Sequence, residues 1–479
     1  MKTISILALL TLGLALYGQG PDKWIPLFDG TTLEGWKASE NSGSWKIEEG
    51  AIVTAGPRSH LFYTGEIKNH EFTNFEFSAE VKTTPGANSG IYIHTQFQDE
   101  GWPARGYECQ VINSTHPAEP GANVEHKMTG SIYAIRNIWK PVVPDHEWFT
   151  YGIKVQGKTI QTYINGMLAA EYTEPEEVYR PDGFKGRLLG SGTFALQCHD
   201  PESMVYYRNI RVRPLPDDLT TPGTPPDDLE FEKKILDLSA ANFPLIDLHT
   251  HVRRGMTPEQ LIDHARQFGF TFGIAINCGL TEGFRDDPSI NTFLDQILPT
   301  TSPLVYTAMQ AEGREWVDLF SDETIARFDY VFTDAMTWTN DNEKRMRLWI
   351  PSETEVGDPQ DFMDQLVART VKIIRDEPID IFVNPTYLPP EIADRYDELW
   401  TEKRMDAVIQ ALKESEVALE INNGNRIPSE IFLRRAKEAG VKFTFGTNNV
   451  NADLGRMEYA IEMIGACGLE ASDMWIPGF

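Results

Sequence analysis

The residues of this chain able to do chemistry fall into two groups with different spacing. In the first, polar side chains alternate with apolar ones along short runs. Tyr92, His94 and Gln96 lie between Ile91, Ile93 and Phe97; Glu108 and Gln110 flank Cys109; Gln197 and His199 flank Cys198. Side chains of a strand alternate between its two faces, so each run puts its polar members on one surface. A carboxylate, amides, imidazoles and an aromatic ring on one sheet suit a sugar, which offers hydroxyls and an apolar ring face. Arg208, in Tyr206-Tyr207-Arg208-Asn209-Ile210, is assigned to the same surface. The second group opens on His249-Thr250-His251. Residues i and i+2 of a strand point the same way, so both imidazoles can reach one ion. Glu312 is the third ligand expected, with Asp334 or water completing the shell.

The elements carrying these groups differ in period. From Trp24 to about Pro214 the sequence beats in twos: Phe75, Phe77, Ala79 and Val81 alternate with polar residues, and Ile160, Thr162 and Ile164 run into the hairpin signal Asn165-Gly166. Many antiparallel strands without a helical stripe read as an all-β sandwich or jelly roll. A segment rich in proline and acid follows, so 215–242 is expected to be a linker. After Phe243 apolar strands alternate with helix signals. The strands are expected at 244–249, 270–277, 303–309, 330–335, 379–384, 417–421 and 441–446. Thr257-Pro258 and Asp358-Pro359 open helices, and Met405, Val408, Ile409 and Leu412 stripe another. Seven strand–helix units make an α/β parallel barrel, with chemistry expected at the carboxyl ends of its strands. The long connection 339–361 is read as a lid over that mouth or a solvated loop.

Composition narrows the partners. The chain has 479 residues and a net charge of −28, with 43 Lys+Arg against 71 Asp+Glu. So acidic a protein repels phosphate backbones and anionic lipid, which excludes nucleic acid and membrane surfaces as expected partners. Lys2, the uncharged run Ile4 to Leu16 and the small residues Gly18 and Gly20 read as a signal peptide over 1–20, too short to span a bilayer. The mature chain is therefore expected in the periplasm or outside the cell, without membrane insertion; no oligomeric state follows from these features. The 4 cysteines cannot make a disulfide-dense scaffold. Cys109 and Cys198 fall on the core register and are expected as buried thiols, with a disulfide as the alternative in an oxidising compartment. Asn113-Ser114-Thr115 fits a glycosylation sequon.

Several motifs in order carry a resemblance. Leu27-Phe28-Asp29-Gly30, Asn88-Ser89-Gly90-Ile91-Tyr92, Gly106-Tyr107-Glu108, Thr129-Gly130-Ser131-Ile132-Tyr133, Leu196-Gln197 with His199, and Tyr207-Arg208-Asn209-Ile210-Arg211 resemble the 3-keto-disaccharide hydrolase family. The resemblance spans 24–214 and implies a concanavalin-like jelly roll (domain 21–214) cleaving 3-keto-glycosides without a cofactor. A ketone acidifies the neighbouring C2 hydrogen, so one base, one acid and donors to the enolate suffice where an ordinary glycosidase needs two flanking carboxylates. Glu108 and His199 are the catalytic pair expected, with Tyr92, His94, Gln110, Gln197 and Arg208 binding the carbohydrate.

The second half, domain 243–479, is similar over roughly 243–465 to the PHP phosphoesterase family (polymerase and histidinol phosphatase) in its His249-x-His251, its Thr257-Pro258-Glu259-Gln260-Leu261 and its Glu420-Ile421-Asn422. It departs from that family where Asn277-Cys278-Gly279, Asn384 and Asn448-Asn449-Val450 replace metal-binding residues, and no histidine follows His264. The expectation is a (β/α)7 barrel with at most one divalent ion, zinc or manganese, on His249, His251 and Glu312. Arg253, Arg254 and Arg314 lie past strand ends and are read as anion contacts or exposed cations. The competing function is a sandwich that only binds carbohydrate, with a metal-dependent hydrolase on the barrel.

Overall fold

A computed structural model describes residues 23–115, 124–253, 255–298, 302–340 and 342–478. The leader read at 1–20 and Arg254 lie outside the described residues. Residues 25–214 fold as two antiparallel sheets. The larger has 8 strands, with Phe75–Thr83 paired to Phe149–Gln156 on one side and to Val205–Pro214 on the other. The smaller has 5, in the order Trp36–Ala38, Ser59–Tyr63, Thr193–Cys198, Ser89–Thr95, Tyr107–Val111. Strand alternation makes the core between them. Phe75, Phe77, Ala79 and Val81 from one sheet meet Ile91, Ile93, Cys109 and Leu196 from the other. The Asn165-Gly166 hairpin forms as its residues require: both have positive φ, 51° and 82°, which asparagine and glycine tolerate.

The segment expected as a linker is partly a helix, Leu229–Ala240, capped by the Asp228 side chain on the Phe231 amide. Its Glu232 forms a buried two-bond pair with Arg136 of the sandwich, at 2.9 and 3.0 Å. Its acidic residues are thus helix-cap and ion-pair partners as well as solubilising groups.

The second half is a closed barrel of seven parallel strands: Ile246–Thr250, Thr271–Gly279, Tyr306–Glu312, Tyr330–Thr333, Ile381–Phe382, Ala418–Asn422 and Phe443–Gly446. Thr257 and Gln260 form a reciprocal capping box on Pro258–Phe268, and Asp358 caps Pro359–Asp376. Within 339–361 the strand Arg345–Arg347 pairs back on Thr337–Thr339, beside the barrel mouth. The sandwich closes the opposite end. Trp139 is fully buried among Ile246, Ala275, Tyr306, Tyr330 and Ala418 of the barrel, and its indole N–H donates to the Gly269 carbonyl at 3.3 Å. Among the described residues no helix is long and apolar enough to cross a membrane.

Candidate functional site

The outward face of the five-stranded sheet carries the first group. Register pairs Tyr92 with Glu108, Ala195 with Tyr92, and Gln197 with His60, so these side chains share one surface. Glu108 is the hub. Gln197 Nε2 donates to its Oε1 at 2.8 Å, and Arg187 Nη2 donates to its Oε2 at 3.1 Å. The same Gln197 amide reaches the Tyr92 hydroxyl at 3.2 Å, and the Arg187 guanidinium lies 5.2 Å from the centre of the Tyr92 ring. Gly90 makes room for this carboxylate: a Cβ there would stand 2.7 Å from Glu108 Oε1.

Aromatic rings frame the hub on two sides. His60 packs edge-on to Tyr92 at 5.4 Å and Trp102 at 5.5 Å, and Trp102 lies 5.1 Å from His199. On the other side Tyr133, whose amide bonds the Glu108 carbonyl, stacks on Phe184 at 6.2 Å. His199 Nδ1 is 2.7 Å from Asp200 Oδ2, so the carboxylate fixes the tautomer and leaves Nε2 as the working nitrogen. Arg187 Nη1, Gln110 Oε1, Gln197 Oε1 and both ring nitrogens of His60 are buried without a hydrogen-bond partner among the described residues. Buried polar atoms are nearly always satisfied, so these are the atoms of the face free to bond water or a polar ligand. Burial, with Arg58 adding to it, lowers the His60 pKa to about 3 and holds its ring neutral.

Glu108, Gln110, Tyr92 and Gln197 thus stand together, with His199 at the rim. Two residues assigned to this face lie elsewhere. Strict alternation placed His94 beside Tyr92, but the pairing shifts between Thr193 and Ala195 and His94 takes a positive φ of 52°. Its ring turns onto Phe75, donating from Nε2 to the Thr73 carbonyl at 2.9 Å and accepting the Gly190 amide at 3.2 Å. Arg208 belongs to the other sheet, paired with Glu80 at 2.6 Å and stacked on Trp148 at 3.9 Å. Cys109 and Cys198 are free and buried. Asn113 is buried too, its amide donating to the Pro144 carbonyl at 3.1 Å, so the folded sequon offers no accessible nitrogen. Sequence reasoning missed Arg187, Trp102 and Tyr133. The first two sit in loops and Tyr133 in a turn, where no periodicity reports direction.

The barrel mouth encloses about 650 Å³. His251 and Glu312 line it, whereas His249 lies beneath, with Nδ1 2.6 Å from Glu420 Oε1. Glu312 Oε1 accepts from Gln310 Nε2 at 2.7 Å and from Asn277 Nδ2 at 3.2 Å. Asn384 donates to Asp334 Oδ2 at 3.1 Å and accepts from Asn422 and Asn448. Burial, then the charge of Asp334, raises the Glu312 pKa to about 8; burial raises Asp334 as well. Burial and the neighbouring His249 lower His251 to about 2. Among the described residues no three His, Cys, Asp or Glu side chains are grouped to hold a metal ion. The expected set of His249, His251 and Glu312 is not gathered as such a group: carboxamides clothe the Glu312 carboxylate in hydrogen bonds, while His249 Nε2 is buried with no partner among the described residues. Arg314 faces away from the mouth, bound to Glu377 at 2.7 Å and to the Asp334 carbonyl. Arg253 remains on the lining, donating to the Asn449 carbonyl at 2.6 Å.

A sandwich with a carboxylate, a guanidinium and an imidazole beneath aromatic rings has the make-up of a carbohydrate-active enzyme domain. Residues 23–213 match the profile of the 3-keto-alpha-glucoside-1,2-lyase-like domain. A 3-keto-disaccharide hydrolase from Bacteroides thetaiotaomicron is 35% identical over 231 residues, covering 40% of this chain and 79% of that protein. The chain belongs to the 3-keto-disaccharide hydrolase family, and it is a hydrolase acting on sugars. Among solved structures, a carbohydrate-binding module from Bacillus subtilis is 12% identical, with a TM-score of 0.27 over 37% of this chain and 95% of the module. The histidinol phosphate phosphatase of Lactococcus lactis, complexed with zinc, L-histidinol and phosphate, is 14% identical, with a TM-score of 0.33 over 48% of this chain and 95% of its own.

Proposed function

We propose that the sandwich cleaves 3-keto-glycosides by elimination followed by hydration, with Glu108 as the base and His199 as the acid. The observation that carries this reading is the meeting of Glu108, Arg187 and the His199–Asp200 pair at one aromatic-framed face. Glu108 takes the C2 proton, made acidic by the C3 ketone, and the charge moves onto the C3 oxygen. Arg187 Nη1, a buried donor with no partner among the described residues, binds that oxygen. As the ketone re-forms, a C1–C2 double bond forms and the C1–aglycone bond breaks. His199 Nε2, at the rim where the aglycone leaves, protonates the departing oxygen. The same imidazole then deprotonates water adding to C1, and Glu108 returns a proton to C2, so the net change is hydrolysis. The aromatic rings present flat apolar faces to the sugar.

The test uses the full-length chain with a 3-keto-disaccharide in D2O. Elimination predicts deuterium at C2 of the product, above an enzyme-free control. Glu108→Gln is expected to abolish C2 exchange and aglycone release together, with kcat/KM down by roughly 10²–10⁴. His199→Ala is expected to slow release while C2 exchange persists. If both variants turn over at the native rate, Glu108 and His199 are not the base and the acid. The proposal includes export to the periplasm or medium, read from 1–20; a secreted chain whose mass includes Met1 would contradict cleavage there.

A further inference from the structure

We propose that the barrel mouth is a second carbohydrate site, which takes an uncharged polyhydroxylated ligand through carboxamides and an aromatic wall and needs no metal ion. The cavity of about 650 Å³ suits a mono- or disaccharide. Its floor is set with amides where a metallohydrolase would carry imidazoles. A carboxamide offers both donors and acceptors, which matches a hydroxyl, itself both. Gln310 shows which partner is wanted. It is 8% exposed and its Nε2 is committed to Glu312, so the orientation of the amide is settled. The remaining atom, Oε1, is a buried acceptor with no partner among the described residues. A sugar hydroxyl can donate to it, whereas a phosphate dianion has no proton to give.

Charge and shape agree. Among the described residues the lining carries the carboxyl groups of Glu282, Glu312, Asp334 and Asp453 and one guanidinium, Arg253, which donates to the Asn449 carbonyl. Burial favours the neutral carboxyls of Glu312 and Asp334, which meet a neutral ligand without a charge penalty, while Glu282 and Asp453 oppose a phosphate ester. Trp349, 36% exposed, and Tyr387 supply ring faces at the rim. Apolar C–H faces of a sugar pack on such rings while its hydroxyls reach the amides. This inference does not rest on the reaction assigned to the sandwich, whose active face lies on another domain.

Hydrogen exchange followed by mass spectrometry on the full-length, EDTA-dialysed chain tests it, with glucose, trehalose and sucrose as probes and glucose 6-phosphate as the anionic control. The neutral sugars are expected to slow exchange in peptides covering 306–312 and 447–453, in the native chain and equally in Glu108→Gln. Trp349→Ala and Gln310→Met are expected to lose that protection, and Trp349→Phe to keep it; unchanged exchange in the remaining barrel peptides verifies that each variant is folded. Glucose 6-phosphate is expected to protect less than glucose. The proposal is overturned if none of the three sugars protects these peptides, or if protection survives both Trp349→Ala and Gln310→Met. It is equally overturned if protection appears only after zinc or manganese is added, or if glucose 6-phosphate protects as well as glucose.

Discussion

Arg187 is the residue through which the proposed reaction would join the hub to the sugar, since one of its nitrogens holds Glu108 and another has no partner among the described residues. Other buried polar residues at this end of the sheet are structural, and His94 is the clearest. Burial holds its pKa down to about 4, and the bond to the Thr73 carbonyl, then the nearby Glu174 and Glu71, only partly oppose that. The unfolded chain therefore takes up a proton near pH 6.5 that the folded chain refuses until about pH 4. The stability from a neutral His94 is complete above about pH 6.5 and is lost as pH falls toward 4, about 3 kcal/mol in all. Asparagine tolerates the same positive φ, so His94→Asn should fold and flatten the acid limb of the stability curve by about 1.4 kcal/mol per pH unit. Urea unfolding at pH 7 and pH 5, compared between the two chains, measures the difference. Equal losses in both would show that His94 titrates normally in the fold.

Between elements, the candidate site depends on how closely neighbouring strands approach. Gly90 lies opposite Gln110, and a methyl group there would press on the Glu108 carboxylate at 2.7 Å. The contact is with a side chain, and Gly90 has no positive φ, so Gly90→Ala should fold and displace Glu108 from Arg187 and Gln197. Loss of kcat/KM by roughly 10² is expected, since small misplacements of a reacting group carry such costs, with a melting temperature near native. An active Gly90→Ala enzyme would mean that Glu108 does not act from this position. Gly106 provides the contrast. Its φ is 79°, and a Cβ would meet the Ile93 carbonyl at 2.0 Å, so substitution there strains backbone as well as site.

The whole molecule is joined end to end, with the sandwich plugging the barrel floor. Trp139, its hydrogen bond to Gly269 and the buried Arg136–Glu232 pair leave neither half with a finished surface of its own. The lysine beside Trp139 adds bonds to the Val305 carbonyl at 2.8 Å and to Asp329 at 3.2 Å. Trp139→Ala is expected to lower stability by about 3–5 kcal/mol, the usual range for truncating a buried aromatic, with the cavity opening in both halves. Scanning calorimetry of the native chain should show one transition, and that of the variant a lower or divided one. Two separated transitions in the native chain would show that the plug does not couple the halves.

Alternation and strand–helix rhythm were enough to place the jelly roll, the seven barrel strands and the polar register holding Tyr92, Glu108, Gln110 and Gln197, because period and polarity are local properties of a chain. His94 escaped that reading because one shift in pairing, visible only against the neighbouring strand, turned its side chain to the core. Arg208 escaped because a strand's sheet is chosen by pairing over long separations, here with Phe75–Thr83. Arg187 and Trp102 reach the face from loops, whose direction depends on what they pack against. In the barrel, His249-x-His251 has the spacing of a metal site, yet Glu420 from a strand 171 residues away holds Nδ1 of the first imidazole and amides surround Glu312. Spacing along one strand sets which side chains point together; what stands opposite them is decided by the closure of the barrel.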